Sequence, residues 1–151
     1  MTVDQVMTKH VISVSMDTTL GAIRDLFSRC RFHHLVVLDQ CKLVGIISDR
    51  DLLRHVSPYV DTVSERALDA ASLRKRAHQI MTRSMITASP EMPVGDAAIV
   101  ILNNGISCLP VVNADGACVG ILTTRDLLRW SLEQMANKSC EVKLAKERHA
   151  A

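Results

Sequence analysis

The chain has 151 residues, 48% of them hydrophobic and 23% charged, with a formal net charge of +2. These values are those of an ordinary folded globular protein, and the small net charge gives no reason to expect a nucleic acid or another polyanion as partner. Aromatic residues make up only 3%, which argues against a nucleic-acid surface built on base stacking and requires an aliphatic core.

The sequence carries no signal for a membrane or for secretion. The longest apolar runs, such as residues 97–102, are far shorter than the roughly 20 residues that a membrane span needs. The first ten residues, MTVDQVMTKH, contain no apolar stretch of the kind found in a signal peptide. We therefore expect a cytoplasmic location without membrane contact.

The cysteines form no recognisable framework. Five are present, an odd number, and no two have the C-x-x-C spacing of zinc or redox sites. They are Cys30, Cys41, Cys108, Cys118 and Cys140. We expect reduced thiols, as is usual in cytosolic proteins, and no metal centre.

The first third of the chain predicts a strand, a helix, a β-hairpin and a second helix. The strand covers residues 11–14, and Asp17-Thr18-Thr19 supplies N-cap residues for the helix. Apolar residues follow at helical spacing: Leu20, Ile23, Leu26 and Phe27. Residues 35–38 and 43–47 are continuous β-branched runs, which predicts a hairpin buried on both faces. The second helix begins at the segment SDRD.

A helical linker is predicted over residues 57–76. Its small apolar residues are expected to face inward: Ala67, Ala70, Ala71 and Leu73. The basic run Arg74-Lys75-Arg76 is interpreted as a solvated face, with a small patch for anions or nucleic acid as the alternative.

The second half repeats the pattern of the first. A strand is predicted at Ile86 and Thr87, and a helix opens at Ser89-Pro90 and stops at Asn103-Asn104-Gly105 in the left-handed conformation. A hairpin of residues 109–112 and 118–122 follows, and then a helix from the segment TTRD. Beyond Trp130 we expect a polar helix, a break at Asn137-Lys138-Ser139 and a frayed or disordered end over residues 141–151.

The two halves are copies of one unit. GIISDRDLLR, from Gly45, and GILTTRDLLR, from Gly120, agree at seven of ten positions and lie 120 − 45 = 75 residues apart. Upstream, the offset is 74, so the second copy holds one extra residue, which falls in the predicted hairpin turn around Asp115. A repeat at fixed spacing determines the architecture, and it predicts an α+β fold of two β-α-β-β-α units.

The repeated decapeptide allows two interpretations. Ser48 with Asp51, and Thr123 with Asp126, have the spacing of a helix capping box. Alternatively, a glycine-led turn from a strand into a helix presents backbone N–H groups to a phosphate, and the carboxylate accepts hydrogen bonds from a ribose diol. Capping alone does not explain why an arginine is also repeated, at Arg50 and Arg125; there it would neutralise phosphate charge.

Several matched segments resemble the cystathionine-β-synthase (CBS) domain. They are Val6-Met7-Thr8, residues 34–39 with their partners 108–113, and the GIISDRD and GILTTRD segments. The two copies together resemble the tandem pair called a Bateman module, over about residues 3–130. The resemblance divides the chain into a first repeat (residues 1–56), the helical linker (57–76), a second repeat (77–131) and a C-terminal helix and flexible tail (132–151).

The resemblance implies a pseudo-two-fold module with two clefts between its repeats, and a homodimer of such modules. Each cleft would bind an adenosine nucleotide (AMP, ADP or ATP) without a required cofactor, drawing the ribose-binding carboxylate from one repeat and base-facing segments from the other. The first cleft would contain Ser48, Arg50, Asp51, Thr82, Ile86, Thr87, Ile106, Ser107 and Cys108. The second cleft would contain Thr8, Ile12, Ser13, Phe32, His33, His34, Thr123, Arg125 and Asp126.

Some positions depart from the family pattern. Val36 stands where the second copy has Pro110, which is expected to shift the strand that enters the hairpin, and Asn113 replaces the usual acid at its turn. His33-His34 matches Ser107-Cys108, so the two clefts are expected to differ in affinity or ligand. His34 is equally compatible with a purely structural role beside its hairpin.

The expected function is that of a non-enzymatic regulatory module that reports nucleotide binding to an unidentified protein. No nucleophile and base fall together on the repeated motifs, so no catalytic activity is expected. The alternatives are a structural dimerisation module without a physiological nucleotide, a binder of S-adenosylmethionine or NAD, and a redox or metal switch that uses the cysteines or histidines.

Overall fold

A computed structural model of the protein describes residues 1–30 and 32–149, with side chains as far as residue 136. The strands are β1 (Ser13–Ser15), β2 (His34–Asp39), β3 (Lys42–Ser48), β4 (Cys108–Val112) and β5 (Cys118–Thr123). The helices are α1 (Leu20–Arg29), α2 (Asp49–His55), α3 (Ala67–Ser72), α4 (Ala77–Ile80), α5 (Val94–Asn104) and α6 (Thr124–His149). A single 3₁₀ turn, Val3–Gln5, precedes them. The fold is α+β, as the sequence predicts.

Helix ends and hairpin turns follow local chemistry. The Thr19 hydroxyl caps α1 by accepting a hydrogen bond from the Ala22 amide at 3.3 Å, and Gly105 ends α5 with a left-handed φ of 60°. The first hairpin turns through Gln40 and Cys41, both with positive φ. The second needs one more residue and places Gly116 at φ 79°, which confirms the predicted position of the insertion.

The two sheets differ by one strand. In the first repeat, β1 pairs in parallel with β2, which pairs antiparallel with β3. In the second repeat, β4 and β5 form a two-stranded sheet, and the first strand is reduced to a single bridge between Ala88 and Val111. The prediction of a strand at Ile86 and Thr87 was therefore wrong.

Proline explains the missing strand. The Val36 amide in β2 donates a hydrogen bond to the Ile12 carbonyl at 3.4 Å. Pro110 takes the place of Val36 in β4 and has no N–H to donate. Only Ala88 is then paired with β4. Its amide donates a hydrogen bond to the Pro110 carbonyl, and its carbonyl accepts one from the Val112 amide, both at 3.0 Å.

The linker helix α3 is placed by hydrogen bonds rather than by apolar packing. Its buried residues are Asp69 and Ser72, whereas Ala67 is exposed and Ala70, Ala71 and Leu73 are half-buried. The expected inward face was therefore wrong. The Ser57 hydroxyl donates to Asp69 Oδ1 at 2.6 Å, and the Ser57 amide donates to Ser72 Oγ at 3.1 Å. The hydrogen bond from Ser57 lowers the pKa of Asp69, so the carboxylate stays ionised and ties α3 to the end of α2.

The expected break in the last helix does not occur. Helix α6 runs from Thr124 through residues 137–139 to His149. Asn and Ser cost only a few tenths of a kcal/mol each inside a helix, unlike Gly or Pro. Of the predicted tail at residues 141–151, the last two residues lie outside the described part of the chain.

Each repeat completes the core of the other. The core of the first repeat, around Leu20, Ile23 and Leu35, also contains Ala77, Ile80 and Met81 from the start of the second repeat. The core of the second repeat, around Ala97, Ile101 and Leu109, also contains Val3, with Val6 and Met7 packed against it. The segment that opens each repeat is thus exchanged between the two, and neither unit is closed without the other.

Gly45 and Gly120 lie inside β3 and β5, and not in the turns that follow them. The expected glycine-led turn was wrong. A Cβ at Gly45 would collide with the side chain of Met81, and one at Gly120 with that of Met7. The repeated glycines are therefore explained by the close approach of the exchanged segments.

We predict that Gly45→Ala lowers the free energy of unfolding by about 1–3 kcal/mol, because the new methyl group overpacks a site bounded by the buried Met81. Urea denaturation followed by circular dichroism measures the change. Gly95→Ala is the matched control: Gly95 lies in α5 with open space around its Cα, so alanine should leave stability equal or higher. Equal stability of Gly45→Ala and the wild type would contradict the exchanged packing.

Candidate functional site

Two cavities lie between the repeats. The larger has a volume of about 680 Å³ and the smaller of about 320 Å³. The larger is lined by Thr8, Phe32, His33, His34, Ser48, Asp49, Arg50, Ser107, Ile121, Thr123, Thr124, Arg125, Asp126 and Arg129. The smaller is lined by His34, Ile46, Ser48, Asp51, Thr82, Ser84, Met85, Ile86, Asn104, Gly105, Ile106, Ser107, Cys108 and Pro110. Both volumes are in the range of small-molecule sites.

The smaller cavity brings together most of the residues expected in the first cleft. It has Ser48 and Asp51 on one side and residues of the second repeat, from Thr82 to Cys108, on the other. Arg50 lines the larger cavity instead, and Thr87 lines neither. The larger cavity corresponds to the second cleft. It contains every residue expected there except Ile12 and Ser13.

Backbone pairing of the exchanged segments makes each cavity composite. Thr8 and Ile121 exchange two hydrogen bonds, at 2.9 and 3.0 Å, which places Thr8 beside the end of β5. Thr82 and Ile46 do the same beside β3, at 2.9 and 3.1 Å. The threonine of each exchanged segment therefore lines the same cavity as the carboxylate of the opposite repeat.

The capping boxes predicted at the two motifs are formed. Asp51 Oδ2 accepts hydrogen bonds from the Ser48 amide at 2.9 Å and from the Ser48 hydroxyl at 2.6 Å. In return, Ser48 Oγ accepts a hydrogen bond from the Asp51 amide at 3.3 Å. Asp126 and Thr123 have the same three distances. In both cases the box uses the Oδ2 atom of the carboxylate, so capping occupies one oxygen and leaves Oδ1 for other partners.

The two Oδ1 atoms have different surroundings. Asp126 Oδ1 lies 3.3 Å from the Thr8 hydroxyl and 3.9 Å from the Arg129 guanidinium, and Asp126 is only 5% exposed. Within the described side chains, Asp51 Oδ1 has no hydrogen bond or ion pair of this kind. The carboxylate in the smaller cavity is therefore the more available of the two.

Positive charge is concentrated in the larger cavity. Arg50, Arg125 and Arg129 all line it, and all three are exposed. Asp49 lies there as well and is paired with His33, whose Nδ1 is 2.8 Å from Asp49 Oδ2. Guanidinium groups bind phosphate oxygens through two donors at once, so this cavity can hold an anionic ligand.

The side chain of His34 forms a hydrogen bond with the second repeat and not with its own hairpin. Its Nε2 lies 3.0 Å from the Ser107 hydroxyl. Burial lowers the pKa of His34, against the opposing effect of the Asp49 carboxylate. The imidazole is therefore neutral near pH 7 and acts as a hydrogen-bonding group rather than as a charge.

Sequence reasoning missed several lining residues. Arg129 is the last residue of the second decapeptide, one helical turn after Asp126. Its recurrence at the same position of the first copy, as Arg54, is a signal that could have identified it. Thr124 and Asp49 directly follow the capping residues. Ser84 and Met85 carry no distinctive motif.

The described residues form neither a metal centre nor a membrane-spanning helix. In that part of the chain, no three side chains of His, Cys, Asp or Glu lie close enough together to hold a metal ion. Nor does a helix there have the length and apolarity needed to cross a membrane.

The family model of the CBS domain matches residues 3–58 and 77–133. The chain therefore belongs to the CBS domain family and contains two copies of that domain. A CBS domain-containing protein of Dictyostelium discoideum is 34% identical over 128 residues, which cover 83% of this chain and 88% of the relative.

Solved structures of CBS pairs are similar to the whole module. The CBS domain pair of protein MJ0100, in complex with 5′-methylthioadenosine and S-adenosyl-L-methionine, has a TM-score of 0.73 at 27% identity and covers 89% of this chain and 98% of its own. CBSX2 of Arabidopsis thaliana in complex with AMP has a TM-score of 0.72 at 30% identity, with the same two coverages. The fold is thus that of a Bateman module.

We predict that the Cys108 thiol resists alkylation. It is buried in the wall of the smaller cavity, and burial raises its pKa from 9.0 to about 12, so its thiolate fraction at pH 8 falls by roughly a thousandfold. Cys41 is exposed in the first hairpin turn and should react before Cys108. Iodoacetamide labelling with peptide mass spectrometry gives the order of reaction. Labelling in urea, where all thiols should react alike, is the control, and equal native rates at Cys108 and Cys41 would contradict the prediction.

Proposed function

We propose that this protein is a regulatory module that binds adenosine nucleotides in the two clefts between its CBS domains and signals their binding to a partner protein. The observation that carries the proposal is that each helix cap uses one oxygen of its carboxylate and leaves the other, Oδ1, outside the cap. Because the helix cap uses only Oδ2 of Asp51 and Asp126, Oδ1 at the cavity wall can accept hydrogen bonds from a ribose diol.

The rest of each cleft is complementary to a nucleotide. Apolar side chains such as Ile86 and Ile106 in the smaller cavity, and Phe32 in the larger one, provide flat contact area for a base. The arginines of the larger cavity provide partners for phosphate. Similar solved structures contain AMP, 5′-methylthioadenosine or S-adenosyl-L-methionine, which supports an adenosine-containing ligand. These three ligands differ in the group on the 5′ carbon of the ribose, and titration with several ligands identifies the group that this protein prefers.

A regulatory rather than catalytic role is supported by what lines the clefts. Cys108, the thiol in the smaller cavity, is held protonated by a pKa raised to about 12. Ser48 and Thr123 are committed to helix capping. These three groups are thus unsuited to nucleophilic attack.

Asp51→Asn and Asp126→Asn test the proposal with little damage to the fold. Asparagine keeps one oxygen for the capping box but loses the charge and the second acceptor. We expect each variant to weaken AMP at its own cleft by roughly 10- to 100-fold, the range for hydrogen bonds to a charged group. Isothermal titration calorimetry with AMP, ADP, ATP and S-adenosylmethionine measures both the affinity and the preferred ligand.

The matched ligand control is 2′-deoxy-AMP. It lacks one hydroxyl of the diol, so it should bind the wild type about tenfold more weakly than AMP does, and the Asn substitutions should weaken it by a smaller factor than they weaken AMP. Asp96→Asn, on the exposed face of α5, should bind like the wild type. No heat with any of the four ligands at millimolar concentration would refute the proposal.

We include homodimerisation in the proposed function because of exposed leucines. Leu53 in α2 and Leu128 in α6 occupy equivalent positions of the repeat and are 77% and 63% exposed. A two-fold interface that brings equivalent surfaces of two copies together would bury such leucines.

We expect sedimentation velocity to show a dimer that Leu128→Glu converts to monomers, because a carboxylate would be buried unpaired in the interface. Leu68→Glu, at an 84% exposed position in the linker helix α3, is the matched control and should remain dimeric. A monomeric wild type at micromolar concentration would remove this part of the proposal.

A further inference from the structure

One side-chain pair forms the partition between the two clefts. Three residues line both cavities, namely His34, Ser48 and Ser107. Ser48 is held in its capping box. His34 and Ser107 are held by each other, through Nε2 and Oγ at 3.0 Å. The hydrogen bond between them therefore stands in the wall that the clefts share.

This bond joins the two repeats and has no symmetric counterpart. His34 begins β2, whereas Ser107 directly precedes β4. The repeat places Cys108 in the position of His34 and His33 in the position of Ser107. Cys108 is a buried thiol, and His33 is paired with Asp49 at 2.8 Å. One bond thus crosses the partition where two-fold symmetry would have given two.

The chemistry of imidazole makes the bond exclusive. A neutral ring nitrogen either donates or accepts, so Nε2 has a single place for a hydrogen-bond partner. A ligand in the second cleft that bonds to His34 Nε2 must displace Ser107. The Ser107 hydroxyl is then free to rotate toward the first cleft, where it is one of the base-facing groups.

We infer that the bond between His34 and Ser107 couples the two clefts, so that a ligand in one raises the affinity of the other. The inference rests on the proposed function. The first ligand breaks the bond, and the second binds to groups that are already released. Coupling of this kind is reciprocal, because it is a single free energy shared by two binding steps.

The size of the effect follows from the worth of one neutral hydrogen bond. A net contribution of about 1 kcal/mol corresponds to about fivefold in an equilibrium constant. The second molecule of ligand should therefore bind about fivefold more tightly than the first, after correction for differences between the clefts.

Charge on the ligand opposes this effect. Phosphates held on the two sides of the partition repel each other. In the larger cavity, three arginines reduce this repulsion, namely Arg50, Arg125 and Arg129, whereas the carboxylates of Asp49 and Asp126 add to the negative charge. Adenosine has the base and the diol without the phosphate. It is therefore the probe that reports the hydrogen bond alone, and AMP under the same conditions measures the part due to charge.

Titration calorimetry with adenosine tests the coupling in three variants beside the wild type. Ser107→Ala removes the bond and should make the two steps independent. Ser107→Thr keeps a hydroxyl and should retain the coupling. Ser84→Ala removes a serine that lines only the smaller cavity, so it should change one affinity at most and leave the coupling near fivefold. Ser107 is exposed, and matched melting temperatures check that its variants fold.

The outcomes separate this inference from the function on which it rests. Positive coupling in the wild type, in Ser107→Thr and in Ser84→Ala, with its loss in Ser107→Ala, supports the inference. Two independent sites, a single site, or coupling unchanged in Ser107→Ala overturns it and leaves nucleotide binding intact. If neither adenosine nor AMP binds at millimolar concentration, both the proposed function and the inference fail.

Discussion

The exchange of the segments that open the two repeats is the constraint on which the structure depends. Thr8 pairs with Ile121 and Thr82 with Ile46 through reciprocal backbone hydrogen bonds of 2.9 to 3.1 Å. Met7 and Met81, each one residue earlier, pack against glycines inside β5 and β3. Because backbone groups in a buried strand must be paired, the exchange commits both repeats to one arrangement. It also explains why glycine recurs at the head of both decapeptides.

The composite clefts are a consequence of this exchange. In each cavity a carboxylate at the start of one helix lies with a threonine from the opposite repeat, and neither cavity can be assembled from one repeat. Yet the clefts are unequal. The larger one has three arginines, and its Asp126 is already bonded to Thr8. The smaller one has a more available carboxylate, that of Asp51, and the thiol of Cys108 in its wall. Two sites built from the same repeated motif are thus chemically distinct.

The sequence was sufficient for features encoded locally. Thr19 as an N-cap, Gly105 as a left-handed helix end and the hairpins of both repeats depend on neighbouring residues, and all were predicted. Features that depend on distant residues were not. Whether residues 86 and 87 form a strand is decided by the missing N–H of Pro110 on another strand. The role of Gly45 is decided by Met81, and the burial of Asp69 by Ser57.

Candidate-site residues divide in the same way. The carboxylates and the capping hydroxyls stood out because they recur in both copies. Arg129 recurs as well, but its place one turn beyond the motif obscured its proximity to the cleft. The contact of His34 with Ser107 has no sequence signal, since it exists only where the copies differ. Self-similarity in a sequence therefore points to what both repeats share, and it cannot locate the contacts that make them unequal.

A crystal structure of the protein grown with AMP would show whether the capping carboxylates bind the ribose. We predict ribose hydroxyls at about 2.7 Å from the Oδ1 atom of Asp51 or Asp126, with the adenine against residues of the opposite repeat. AMP bound away from both carboxylates, or with ribose and base held by residues of the same repeat, would contradict it.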